Sequence, residues 1–224
     1  MRIGQSGTPI ISASDPLPNP ATARADGLVA VGGGLSVARL REAYRHGIFP
    51  WSAVPETWWS PDPRAVIDLN RGVHISRRLA QKIRQGRFEV SRDRAFRQVM
   101  EACGAERDEQ DSSWISPALT DAYVALHEAG DAHSVEVWLD GRLVGGIYGV
   151  AAGGAFAGES MFHRVADASK IALASLTDHL NRQGFVLFDV QVANAFTRRM
   201  GAEEIPRREF LGRLRKALAA DAAF

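Results

Sequence analysis

The chain has 224 residues, 46% of them hydrophobic and 24% charged, with a formal net charge of +1. That length suits one large domain or two small ones, and the composition excludes a disordered chain. The near-neutral charge excludes a global pull on nucleic acid, so such a partner would have to meet a local patch, and the single cysteine, Cys103, excludes an intramolecular disulfide.

The opening MRIGQSGTPI lacks the apolar core of a signal peptide. The uncharged run 143–158 is too short and glycine-rich for a membrane span. Both point to a soluble protein of the reducing cytoplasm with no membrane partner. Pro9, Pro16, Pro18 and Pro20 make residues 8–27 an extended segment. Leu28 to Val31 reads as a short strand. Ser36 can cap a helix carrying Val37, Leu40 and Tyr44, ended by Gly47. Gly32-Gly33-Gly34 lacks the spacing of a dinucleotide or phosphate loop.

Residues 47–64, GIFPWSAVPETWWSPDPR, hold Trp51, Trp58 and Trp59 with Pro50, Pro55, Pro61 and Pro63. So many prolines predict a rigid loop without regular structure. Its rings either pack on the core, which composition favours, or wall an apolar ligand site. Val66 to Leu69 reads as a strand. Ser76 caps a helix whose inner face is Leu79 and Ile83, and whose other positions include Arg77, Arg78, Lys82 and Arg84. Such a run is usually a solvated face, but cations without a nearby acid also suit phosphate.

Asp93 opens a helix with Phe96, Met100 and Cys103 inward, and residues 104–113 read as an acidic loop. Ser116-Pro117 starts the next helix, with Leu119, Tyr123 and Leu126 as its apolar stripe. His133 to Leu139, the turn Asp140-Gly141 and a return strand from Arg142 form a hairpin. A third strand leads into Gly158-Glu159 after a turn near 151–154. A helix over Ala168–Arg182, a strand over Phe185–Val190 and a helix from about Pro206 to Ala220 complete the chain. The second half thus reads β-β-β-α-β-α with a largely antiparallel sheet. The fold class is α/β of the α+β type, in two packed units: a small mixed domain over 1–105 and a second domain over 106–224.

Two acids lie within apolar strands, Glu159 and Asp189. Such an acid is paired, neutral or functional. A partner in the core, such as Arg64 or Arg164, would account for either one alone. Gln191 follows Asp189 by two residues, so in a regular strand both side chains share a face. Ser160 sits in Gly-Glu-Ser-Met-Phe, which is no nucleophile elbow. The histidines show no zinc-ligand spacing, so no metal is expected.

In order, GLVAVGGGLSVARLREAYRHGIFPW, WWSPDPR, AHSVEVW, LVGGIYGV, GESMF, ASKIAL and FDVQ resemble the bacterial leucyl/phenylalanyl-tRNA–protein transferases, from about Gly27 to Phe210. The resemblance implies transfer of leucine or phenylalanine, sometimes methionine, from charged tRNA to proteins with N-terminal arginine or lysine, marking them for N-end-rule degradation. It implies no cofactor, a monomer, and a GNAT-like acyltransferase fold for the second domain. By the same resemblance Asp189 and Gln191 fall at the reaction centre. Glu159, with Phe156 and Gly158, falls at the substrate pocket. Trp51, Trp114, Ile147 and Phe188 would help wall that pocket, and Arg77, Arg78, Lys82 and Arg84 would contact tRNA. On this view Asp189 orients Gln191 and supplies charge to the incoming amine, Glu159 holds the charged-tRNA end, and the glycines of 143–158 give that end clearance. The competing readings are a GNAT-type small-molecule N-acyltransferase and a tRNA-binding protein without catalysis. HRVADASK, with no glycine, stands against the first where a pyrophosphate loop would be needed.

Overall fold

The computed structural model describes residues 2–3, 7–108 and 114–224. The fold is mixed α/β and built on two sheets. The first has five strands: β1 (Arg2–Ile3), β2 (Pro9–Ile11), β3 (Leu28–Gly32), β4 (Phe49–Ala53) and β5 (Glu56–Trp59), in the order β1-β2-β3-β5-β4. Helix α1 (Val37–Arg45) lies between β3 and β4, and the Ser36 hydroxyl caps it by accepting from Arg39 N–H.

The proline-rich stretch is therefore not a loop. It forms the β4–β5 hairpin, Pro50 opposite Trp58 and Ala53 opposite Glu56. The prolines are tolerated because β4 is the sheet's edge strand and Pro55 sits in the turn, where no ladder N–H is needed. Trp58 is fully buried and donates its indole N–H to Gly32 O at 2.7 Å, so this ring does pack on the core.

The second sheet has seven strands in the order β12-β6-β11-β10-β9-β8-β7. These are β6 (Arg64–Ile67), β7 (Glu89–Arg92), β8 (Ala132–Leu139), β9 (Arg142–Ala152), β10 (Ala155–His163), β11 (Leu187–Gln191) and β12 (Ala202–Ile205). Two of its strands, β6 and β7, precede residue 105. The expected strand at Val66–Leu69 starts and ends earlier because Asp68 turns the chain: its carbonyl accepts from Gly72 N–H and its carboxylate from Asn70 N–H.

Helices α2 (Arg77–Arg84), α3 (Phe96–Asp108), α4 (Pro117–Glu128), α5 (Ala168–Arg182), α6 (Ala195–Arg199) and α7 (Arg207–Ala217) flank the sheets. In α2 only Leu79 is buried; Ile83, expected inward, is exposed because the helix touches the body along a narrow stripe. Residues 104–108, expected as loop, continue α3, since Ala105 and Glu106 are good helix formers; 109–113 lie outside the described residues. The short elements β7, α6 and β12 carry too little periodicity to be read from sequence.

The β8–β9 hairpin turns on Asp140 and Gly141, both at positive φ (51° and 71°), as its two-residue loop requires. Strands β9 and β10 pair antiparallel, α5 crosses over, and β11 returns parallel to β10. The expected β-β-β-α-β-α order is thus present, with α6 and β12 inserted before α7. No helix among the described residues is long and apolar enough to cross a membrane.

The glycine-rich run serves packing. A Cβ at Gly145 would meet Ala168 Cβ of α5 at 2.6 Å, one at Gly146 the Phe162 ring at 3.0 Å, and one at Gly149 the backbone oxygen of Ala157 at 2.2 Å. These glycines let α5, α3 and the next strand approach closely, and a Cβ at Gly158 would likewise meet the buried Phe188 ring at 3.1 Å, so the room expected for a ligand goes to the protein's own packing. Gly149→Ala must displace backbone and should cost about 1–3 kcal/mol. Gly212→Ala, in α7 with nothing within 4 Å of a new Cβ, should be neutral or stabilise by up to about 1 kcal/mol. Thermal unfolding of both variants tests this; equal losses would refute the packing role.

Candidate active site

The site forms where β10 and β11 stop pairing. Their parallel register runs from Ala155–Leu187 to Ala157–Asp189 and ends there, although both strands continue. Each strand then bulges. On β10, Gly158 faces Gly149 and Ser160 faces Tyr148, leaving Glu159 as the extra residue. On β11, Asp189 faces Val66 and Gln191 faces Ala65, leaving Val190 extra. A bulge re-aims side chains and bends the strand. Here two bulges on adjacent strands open a gap in the sheet.

The gap opens into a cavity of about 970 Å³, lined in part by Trp51, Trp114, Ile147, Gly158, Glu159 and Gln191. Trp51, 36% exposed, stands at its edge and meets Trp59 edge-on at 5.5 Å. Phe156 and Phe188, also expected at the pocket, are fully buried behind it, with ring centroids 6.0 Å apart. They support the wall and do not line it. Asp189 does not line it either.

Gln191 sits at φ 62°, a left-handed conformation uncommon outside glycine. The same-face relation expected of Asp189 and Gln191 fails for this reason: the bulge breaks strand alternation. What holds the strained backbone is Asp189, whose Oδ1 accepts from Gln191 N–H at 2.8 Å. Asp189 in turn receives a fork from Arg64, Nε to Oδ1 at 2.9 Å and Nη2 to Oδ2 at 2.6 Å. Arg64 is 1% and Asp189 4% exposed, so the pair is internal. The charge expected for an incoming amine is neutralised by Arg64, one of the core partners the sequence suggested.

Gln191 turns its amide toward β10 and donates from Nε2 to Glu159 Oε1 at 2.7 Å. The other carboxylate oxygen accepts from Tyr123 OH at 3.3 Å, and Tyr123 OH pairs closely with Tyr44 OH. Burial pushes the Glu159 carboxyl up to about 8; the nearby Asp189 charge also raises it, while hydrogen bonds from Tyr44 and Tyr123 and the charge of Arg64 pull it back. Burial and the Glu159 charge raise both tyrosines well above their ordinary range. Tyr44, Tyr123 and Arg64 are site residues that sequence patterning assigns to the core. Only their hydroxyls and guanidinium, costly to bury alone, hint at more.

The basic helix α2 does not itself line the cavity but borders its rim. Arg77, Arg78 and Arg84 are exposed, and no ion pair joins them to an acid among the described residues. Lys82 differs: it pairs with Asp167 Oδ2 at 2.5 Å, so the expectation of cations without counter-charge fails for it. Asp167 and Lys170 lie at the cavity's rim.

A protein-family model described as leucyl/phenylalanyl-tRNA protein transferase matches residues 66–215, and its N-terminal-domain counterpart matches 33–62. The leucyl/phenylalanyl-tRNA–protein transferase of Alkalilimnicola ehrlichii is 53% identical over 196 residues, 86% of this chain and 76% of that one. The corresponding protein of Aromatoleum aromaticum is 54% identical over 187 residues, 83% of this chain and 78% of that one. Among solved structures, a GCN5-related N-acetyltransferase from Kribbella flavida aligns at a TM-score of 0.41 and 18% identity, over 74% of this chain and 59% of that one.

Glu159 is held neutral at pH 7, with a folded pKa above its unfolded value. Its stabilising contribution is therefore complete below the unfolded pKa of 4.5 and is lost as pH rises through about 8. Relative to Glu159→Gln, the wild type should lose about 1.4 kcal/mol per pH unit across that window. Chemical denaturation of both proteins from pH 4 to 9 measures it; a constant difference would refute the raised pKa.

Proposed function

The chain belongs to the leucyl/phenylalanyl-tRNA protein transferase family, and on that premise we propose how this aminoacyltransferase, which moves leucine or phenylalanine from charged tRNA to protein, selects its acceptors and runs its chemistry. The acceptors carry an N-terminal arginine or lysine, methionine is a lesser donor, and the product enters N-end-rule degradation. The enzyme acts as a monomer in the cytoplasm, where charged tRNA is found.

Aminoacyl-tRNA is an activated ester, so the transfer requires no ATP. The acyl carbon passes from the ribose oxygen to the acceptor's nitrogen, the C–O bond breaks as the C–N bond forms, one amine proton must leave, and the departing ribose oxygen gains a proton to become a hydroxyl. An α-amine has a pKa of about 7.7–8.0 and is already partly neutral near pH 7. The main tasks are to hold amine and ester together, worth on the order of 7–11 kcal/mol in favourable cases, and to receive the proton.

The observation that carries this reading is the Gln191–Glu159 bridge across the sheet gap, at the wall of the cavity. With its N–H committed to Glu159, the Gln191 amide oxygen accepts an N–H of the incoming amine. Glu159, whose carboxyl sits near the pKa of that amine, takes the released proton in its ionised form. Asp189 is a positioning residue: it fixes the Gln191 backbone and leaves the proton to Glu159. Trp51, Trp114 and Ile147 take the apolar side chain of the donor. A pocket of this kind separates near-isosteres by only about 1–3 kcal/mol per methylene, which fits acceptance of leucine, phenylalanine and methionine together.

We also place the division between the two units between β5 and β6, where the chain passes from the first sheet to the second, instead of at 105/106.

Labelled phenylalanyl-tRNA and a peptide with N-terminal arginine should give a labelled peptide. Ribonuclease treatment of the donor should abolish the transfer, and acetyl-CoA should not replace it. Equal labelling of a peptide with N-terminal aspartate would refute the acceptor assignment. Gln191→Ala should lower kcat by about 10²-fold or more; full turnover would remove Gln191 from the chemistry. For the basic helix, Arg78→Ala should reduce the salt dependence of tRNA binding by about one counterion. An unchanged slope would make it a solvated face.

A further inference from the structure

We infer that an ion-pair bridge through Asp167 fixes the basic helix α2 to the mouth of the cavity, making Asp167 a positioning residue for the part of the substrate that spans both. The inference rests on the reading of α2 as a tRNA contact.

Asp167 directly precedes α5 and sits at φ 75°, again a left-handed conformation on a residue other than glycine. An aspartate at a helix start ordinarily accepts from its own helix's N–H groups. This one makes no such bond. Its carboxylate turns outward instead and takes two lysines, Lys82 Nζ on Oδ2 at 2.5 Å and Lys170 Nζ on Oδ1 at 2.7 Å. Lys82 also donates to Ala166 O at 3.4 Å. Hydrogen bonds from the two lysines hold the Asp167 carboxyl down to about 2, below its ordinary value. The pair is partly sheltered, 26% and 17% exposed, and screened less than a pair in open solvent.

Helix α2 has few other holds on the body. Leu79 is its single buried side chain, and Arg77, Arg78 and Arg84 face solvent. A single apolar anchor restrains a helix but leaves it free to rock about that point. The Lys82–Asp167 pair is a second anchor. It joins α2 to the segment Ala166–Lys170 that lines the cavity rim. Lys82, expected to contact phosphate, is thereby spent on the protein itself.

A donor whose phosphates lie on α2 and whose acyl end lies in the cavity binds in two places at once. The second contact is then intramolecular, and its effective concentration depends on how well the two sites keep their spacing. Loosening α2 should penalise such a donor and spare one that occupies the cavity alone.

The test compares two donors with the same arginine-starting peptide: phenylalanyl-tRNA, and phenylalanyl-adenosine, which is too short to reach α2. In Lys82→Met the ratio of kcat/KM for tRNA to that for phenylalanyl-adenosine should fall about 5–10-fold, mostly through KM. Asp167→Asn should lower the ratio to a similar degree, and the double variant should be no worse than either single one. The salt slope of tRNA binding should stay at its wild-type value in Lys82→Met. Equal losses on both donors, additive losses, an unchanged ratio, or a reduced salt slope would each overturn the bridge. Failure of the wild type to use either donor would overturn the transferase reading instead.

Discussion

The forked ion pair between Arg64 and Asp189 is the contact on which the remaining structure depends. Arg64 begins the strand that follows the first sheet, and it reaches in three directions. Its fork holds Asp189 on β11, its Nη1 donates to Gly47 O at 3.1 Å at the end of α1, and its guanidinium lies over Phe49 and Phe210 at 4.9 and 4.4 Å. One side chain thus ties the first sheet, the second sheet and α7 together. A buried pair of this kind repays its desolvation only when its geometry is good and its remaining donors are satisfied; both conditions hold here. Losing one partner would leave a charge in the core, which typically costs about 3–5 kcal/mol.

The same pair sets the shape of the site. Arg64 holds Asp189, Asp189 holds the backbone of Gln191 in a strained conformation, and that conformation swings the Gln191 amide across to Glu159. Strain of this sort, on the order of 1–3 kcal/mol, persists only where neighbours over-determine it. The partner bulge at Glu159 completes the opening between β10 and β11. A regular sheet would have paired these strands to their ends and left no cavity. The carboxylate turned into the core, Asp189, is spent on a cation, the Arg64 guanidinium. The one at the cavity is largely neutral at pH 7, because burial outweighs the tyrosine hydrogen bonds that favour its charge.

Much of the second half of the chain was legible in sequence because its signals are local. Asp140-Gly141 specifies a hairpin, Ser116-Pro117 a helix start, and the Ile171, Leu173, Leu176 and Leu180 pattern a buried helix face. All three are present. The proline-rich stretch misled because proline's effect depends on where its missing N–H would point, and an edge strand tolerates it. The glycines of β9 misled because what a glycine makes room for lies elsewhere in the chain: α5, Phe162 and the backbone of Ala157. Lys82 misled because its counter-ion, Asp167, is distant in sequence.

The sequence alone determined the family resemblance and the order of the main elements, which follow from residue identity and short-range pattern; a shared site for Glu159, Asp189 and Gln191 was implied by that resemblance and not by the pattern itself. The tertiary structure decided their division of labour. Whether a carboxylate is spent on a cation or kept near a cavity depends on which strand lies beside it. That in turn depends on two bulges whose position is set by cross-strand register, a relation between distant segments that local pattern does not encode.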